Sequence, residues 1–223
     1  MKKYLIFITL LISLSILTQS IQPALAVVAP KNKLQIEAQN VFNSRKDINV
    51  LLKMLNVKRD SKAENSASKD YVSYLVKGIT GLSDYGRSMV FFVAYGTPTT
   101  RALGIRERSG VLDTYKTAFN RLPMSEADWY DIILISNGTA PKARSVQAEQ
   151  KFKKEFRKAF GREPVYKGDE TAILIMAYGI RPIKKDPVKE NSALTKFKSK
   201  YGYTPTLNHQ WNILRAIAYS GVK

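Results

Sequence analysis

The chain has 223 residues, with 36 lysines and arginines against 18 acids, a net charge of +18 at neutral pH, one histidine and no cysteine. The lack of cysteine excludes disulfide staples and thiol chemistry, and one histidine cannot build a histidine-based triad or a multi-ligand nitrogen or sulfur metal site. The charge balance points to an anionic partner: wall polymers, lipid headgroups or nucleic acid.

Residues 1–26 read as a targeting segment. Lys2 and Lys3 supply the positive start, Leu5 to Leu17 an apolar run, and Ala24-Leu25-Ala26 a small-residue cleavage site. The apolar run is shorter than the roughly 20 residues a spanning helix needs. The expectation is therefore export and cleavage after Ala26, with an extracellular or cell-envelope location and no integral membrane anchor in the mature chain. Removing 26 of 223 residues leaves 197, and losing Lys2 and Lys3 takes the charge from +18 to +16.

Residues 27–70 read as an N-terminal helical segment followed by a polar linker. Ile48, Leu51, Leu52 and Leu55 form one apolar stripe at helical spacing. Arg59 to Asp70, RDSKAENSASKD, is polar and serine-rich and reads as a linker or mobile loop. Residues 71–223 read as a helical repeat domain. Met89–Tyr95, MVFFVAY, fits a buried strand or a buried helix by periodicity alone, and its likeness to Ile173–Gly179 favours the helix.

The repeat is clearest from Ala193 to Gly221, with copies 41 and 82 residues upstream. Tyr201, Phe160 and Phe119 correspond, as do Pro205, Pro164 and Pro123, and Leu214, Ile173 and Ile132. Each copy predicts an amphipathic helix, a glycine or asparagine stop, a proline turn, and a shorter helix apolar on most sides. Ser125 with Asp128 approximates a capping box, and Asn208 or Thr206 is expected to cap the last helix. Fixed-period similarity implies stacked supersecondary units. The expected fold is all-α: stacked two-helix units with a period of 41 residues, as a compact array or a short solenoid.

The motif YG-x-x-P-x5-W-x2-[LI]-x-x-I-A-Y-x-G, carried best by Tyr201 to Gly221, resembles segments of uncharacterised secreted helical repeat proteins of small-genome bacteria. The resemblance runs from about Ser88 to Gly221. It implies an exported, all-helical protein and no particular activity.

Five basic residues recur with the repeat and are the candidate anion-binding set. Lys116, Arg157 and Lys198 each follow an aromatic core position, and Arg121 and Arg162 also correspond, with Tyr203 in the third copy. In register they would form a ladder suited to a polyanion; the plainer reading is the wet face of amphipathic helices. Glu107, in GIRERSG, is the best-placed carboxylate for a lysozyme-like hydrolase, but Arg106 and Arg108 flank it and nearby cations favour the charged form, the wrong direction for a general acid. Trp129 and Trp211, at equivalent repeat positions, are expected to pack in the core rather than to stack on sugars or bases. His209 is expected at a helix cap or on the surface. Gly78–Val90 loosely resembles the turn of helix-hairpin-helix DNA binders, with Ser83 where a second glycine belongs. No catalytic residue, metal site or cofactor fingerprint is found. The expected function is a non-enzymatic protein binding an anionic envelope polymer or a surface protein; the alternatives are a surface nucleic-acid binder or a lysozyme-like wall hydrolase.

Overall fold

A computed structural model describes residues 31–77 and 83–222. The expected targeting segment, the expected leader up to Pro30 and the turn expected at 78–82 lie outside the described residues. The described residues are helical, without strands, and belong to one compact unit. No helix among them is long and apolar enough to cross a membrane.

The first helices are set by local caps. Helix α1 (Lys33–Ser44) starts at a capping box in which Asn32 accepts from Gln35 N and the Gln35 side chain accepts from Asn32 N. Helix α2 (Asn49–Leu55) ends where Asn56 turns left-handed. Arg59–Asp70, expected as a linker or loop, is helical: α3 (Ser61–Ser66) runs into a π-helical stretch (Ala67–Val72) and then α4 (Ser73–Val76). Its polarity misled because two of its acids are structural. Asp60 accepts from Lys62 N and Ala63 N at the helix start. Glu64 is buried, paired with Arg59 and accepting from the Tyr95 hydroxyl at 2.6 Å.

Met89–Tyr95 lies within α5 (Ser83–Tyr95), with Met89, Phe92 and Val93 fully buried, so the helical reading holds over its strand-forming composition. Then come α6 (Ile105–Phe119), α7 (Glu126–Ser136), α8 (Val146–Phe160), α9 (Lys167–Tyr178), α10 (Pro187–Tyr201) and α11 (Asn208–Tyr219). Asn120, Gly161 and Gly202 stop α6, α8 and α10 in the left-handed conformation, as expected from the sequence. The capping box of Ser125 and Asp128 is present at α7. At α11 neither expected residue caps; Gln210 Oε1 instead accepts from Thr206 N and Leu207 N.

Helix α6 is the hub. It touches the π-helical stretch and α5, α7, α8, α9 and α11, while α1 lies along α7 and α11 along α9 and α10. A helix enclosed on so many sides must satisfy its buried polar groups internally. Arg108, 6% exposed, does so by donating to the carbonyls of Val93 and Ala94 at the α5 C-terminus and to that of Leu103. Burial lowers Arg108 to about 10, so it stays charged at neutral pH and meets the negative end of the α5 dipole. Close approach on α6 needs Gly110: a Cβ there would lie 2.8 Å from Arg181 Nη2.

Three tyrosine latches tie helix ends together. Tyr95 Oη accepts from Asp60 N at 2.7 Å and donates to Glu64. Tyr178 Oη accepts from Ser145 N and donates to Glu149, and Tyr219 Oη accepts from Asp186 N and donates to Glu190. In each, one hydroxyl joins the C-terminal turn of one helix to the N-terminal turn of another. The donated bond to an ionised acceptor is of the stronger kind.

Candidate anion-binding seam

Of the five basic residues, two lie exposed on the neighbouring helices α8 and α10, and three are engaged by internal acceptors. Lys116 is half-buried on α6 and donates to the Leu75 carbonyl at 2.7 Å. Arg121 holds Asp128 through two bonds of 2.7 Å, and Arg162 holds Asp169 through bonds of 2.7 and 2.8 Å. These aspartates are the N-terminal braces of α7 and α9. Asp128 also accepts from Met124 N, Ser125 N and the Tyr115 hydroxyl, and Asp169 from Val165 N and Tyr166 N. Burial alone would raise Asp128, but Arg121 and the surrounding donors hold it well below the usual carboxylate range. Arg162 and two backbone N–H groups do the same for Asp169. The seven-residue Arg-to-Asp spacing, present twice 41 residues apart, was readable in the sequence as a local clamp.

Arg157 is exposed and pairs with Glu163 at 2.5 Å, and Lys198 is exposed on α10. Around them the sequence places more cations than the ladder named. Lys151, Lys153, Lys154 and Lys158 on α8, and Lys196, Lys198 and Lys200 on α10, are all exposed, and none has a carboxylate within ion-pair distance among the described residues. The carboxylates of the two helices are turned to other partners: Glu149 to Arg144 and Tyr178, Glu155 to Tyr201, Glu190 to Tyr219. The acids are thus spent inside the fold, and the lysines are left to solvent.

Helices α8 and α10 touch, and two clefts open at their junction. One, of about 380 Å³, is lined by Ala159, Phe160 and Ile217 together with Lys196 and Lys200. The other, of about 220 Å³, is lined by Lys151, Lys158, Tyr201, Tyr203 and His209, with Glu155 beside them. Lys158 Nζ lies 4.5 Å from the Tyr201 ring centre. Burial, and after it Lys151, hold the His209 imidazole below its ordinary value, so it is neutral at pH 7. His209, read as a cap or surface residue, is exposed and also lines this cleft.

Glu107 sits on α6 away from this seam. Its sequence neighbours Arg106 and Arg108 are not its partners. Arg181 and Arg215 each approach Oε2 at 2.9 Å, and Lys185 approaches Oε1 at 3.3 Å. Burial pushes the carboxyl up, but the three cations outweigh it and hold it at about 2. Trp129 is fully buried, edge-on to Phe92 with ring centres 5.4 Å apart. Trp211 differs from expectation: it is 38% exposed. Helix α1 packs along α7, which carries Trp129, and Trp129 itself meets Phe92 of α5.

Comparison with known protein families, with curated proteins and with solved structures finds no match.

Proposed function

We propose that this chain is an exported, non-enzymatic protein that binds an anionic envelope polymer along the α8–α10 seam. One observation carries the reading: Lys151 and Lys158 line one cleft beside α8 and α10, Lys196 and Lys200 line another, and none is ion-paired with a carboxylate among the described residues. Unpaired ammonium groups gathered on one pair of neighbouring helices attract a chain of repeating negative charge and release its counterions on binding. The targeting segment, if cleaved after Ala26, delivers this surface to the envelope, where such polymers are found.

The same reading takes α6–α7, α8–α9 and α10–α11 as three two-helix units with a period of 41 residues. Its support is the spacing of the helix starts: Ile105, Val146 and Pro187, then Glu126, Lys167 and Asn208. Units packed about α6, rather than strung in a line, make this a compact array. The polymer is then held by the last two units, where the surface lysines concentrate.

The test is retention of the purified chain on isolated cell wall at low and high salt, with duplex DNA as the competing matrix. Retention on wall that is lost at high salt and absent on DNA is expected. Tighter, salt-dependent retention on DNA would replace this reading with a nucleic-acid binder, and release of sugar fragments from the wall would replace it with a hydrolase.

A further inference from the structure

We propose that the cleft beside Tyr201 is a subsite for one phosphate-bearing sugar unit, so that the seam recognises the repeat of its polymer and not only its charge. This rests on the reading of the seam as a polyanion site. The cleft is closed enough to hold a single ring, at about 220 Å³, or roughly seven waters at about 30 Å³ each. It combines two ammonium groups, Lys151 and Lys158, with the imidazole of His209 and the side-chain amide of Gln210. These groups answer the two halves of such a ligand: cations for the phosphate, neutral donors and acceptors for ring hydroxyls. The Glu155 carboxylate already accepts from the Tyr201 hydroxyl at 2.7 Å and has lone pairs left for a sugar hydroxyl.

The aromatic groups disfavour a nucleobase stacked on Tyr201. One face of Tyr201 is stacked on Phe197, with ring centres 4.3 Å apart and planes at 13°. Lys158 Nζ sits over the same ring at 4.5 Å. Tyr203 stands edge-on to both aromatic neighbours, at 76° to Phe197 and 66° to Tyr201. Base recognition by single-strand binders depends on an open aromatic face, and Tyr201 has its faces committed. What the cleft offers is an apolar rim and polar tips, which suits the mixed C–H and hydroxyl surface of a saturated ring. Bare phosphate would use the cations and leave the wall idle.

The experiment is calorimetric titration of the full chain with glucose 1-phosphate, glucose, inorganic phosphate and AMP. Glucose 1-phosphate is expected to bind at least about tenfold more tightly than the other three, the factor that one charge-assisted hydrogen bond confers. Lys151→Gln and Lys158→Gln, each checked for an unchanged melting temperature, should each weaken it by about tenfold. Should either variant prove unstable, Tyr203→Phe and His209→Gln provide a second pair, and loss of affinity in at least one is required. Equal affinity for inorganic phosphate, tighter AMP, or no effect of these substitutions would overturn the subsite. The wall-retention assay separates the two readings. If the Lys151→Gln/Lys158→Gln double variant keeps full salt-sensitive retention, the subsite fails and the polyanion surface stands. If the unaltered chain shows no retention at any salt, the polyanion reading fails whatever the titration gives.

Discussion

Arg181 Nε lies 2.9 Å from Glu107 Oε2, and its Nη2 donates to the Glu107 carbonyl, across 74 residues of chain. Both groups of one residue on the hub helix are thus read by one guanidinium from the turn after α9. Arg215 of α11 closes on the same carboxylate and donates to Asn212 Oδ1 as well. Arg181 is 2% exposed, so its charge depends on this partner. Removing one member of a buried pair leaves the other uncompensated, at a cost of about 3–5 kcal/mol. Glu107→Ala should therefore lower the stability measured by urea unfolding by about that amount. An unchanged midpoint would show that Arg181 is satisfied by its carbonyl contacts alone.

The same network fixes the response to acid. Glu107 falls from 4.5 to about 2 in the folded chain, and Asp128, Asp169 and Glu149 are also held down by their arginines. A carboxylate lowered on folding binds fewer protons in the native state than in the unfolded one. Its stabilisation is complete above the unfolded value and drains as pH falls through the folded value. The melting temperature should be nearly level from pH 7 to about 5 and drop steeply between about 4.5 and 2. Glu107→Gln should start lower and fall less steeply. A melting temperature that stays level to pH 3 would contradict the assignment of these pairs.

The two tryptophans should part company. Trp129→Ala empties a fully buried site against Phe92 and should cost about 3–5 kcal/mol. Trp211, 82 residues further along the sequence and 38% exposed, should cost about 1 kcal/mol or less when replaced by alanine. Paired denaturation curves decide this, and equal losses would mean that Trp211 is covered in solution.

That contrast shows what the sequence could and could not convey. Periodicity placed the helices of the last three pairs and their glycine stops, because helix starts, stops and apolar stripes are local. It left Met89–Tyr95 open between strand and helix, and the likeness to Ile173–Gly179 decided for the helix against strand propensity. It could not convey which helix covers which, and so it treated Trp129 and Trp211 alike. Glu107 was judged by Arg106 and Arg108, its neighbours in sequence, when its partners come from residues 181, 185 and 215. Arg59–Asp70 was taken for a linker or loop because it is polar and serine-rich, yet Glu64 is buried and accepts from the Tyr95 hydroxyl. The basic ladder mixed two kinds of cation. Arg121 and Arg162 recur because each clamps an aspartate seven residues on, and Arg157 and Lys198 recur on the wet face.

The last prediction separates the seam from charge in general. Lys196, Lys198 and Lys200 lie exposed along α10 without carboxylate partners among the described residues, and Lys33, Lys46 and Lys53 are equally exposed near the N-terminus. Changing either trio to glutamine removes three charges, so any effect of net charge alone is matched. Neither change should move stability by more than about 0.5 kcal/mol per site, because surface positions rarely do. Binding to an anionic polymer should respond differently. For a duplex-like polyanion each lost contact reduces the slope of log affinity against log salt by about 0.9, and for a flexible single chain by about 0.7. The α10 trio should flatten that slope by up to about 2 for a flexible single chain, or about 2.7 for a duplex-like one, and weaken binding at low salt. The N-terminal trio should leave the slope nearly unchanged, since distant charges act only through a field screened within about 10 Å at 0.1 M salt. Equal slopes in the two triple variants would mean that the polymer senses total charge, and the seam would lose its claim to be the site.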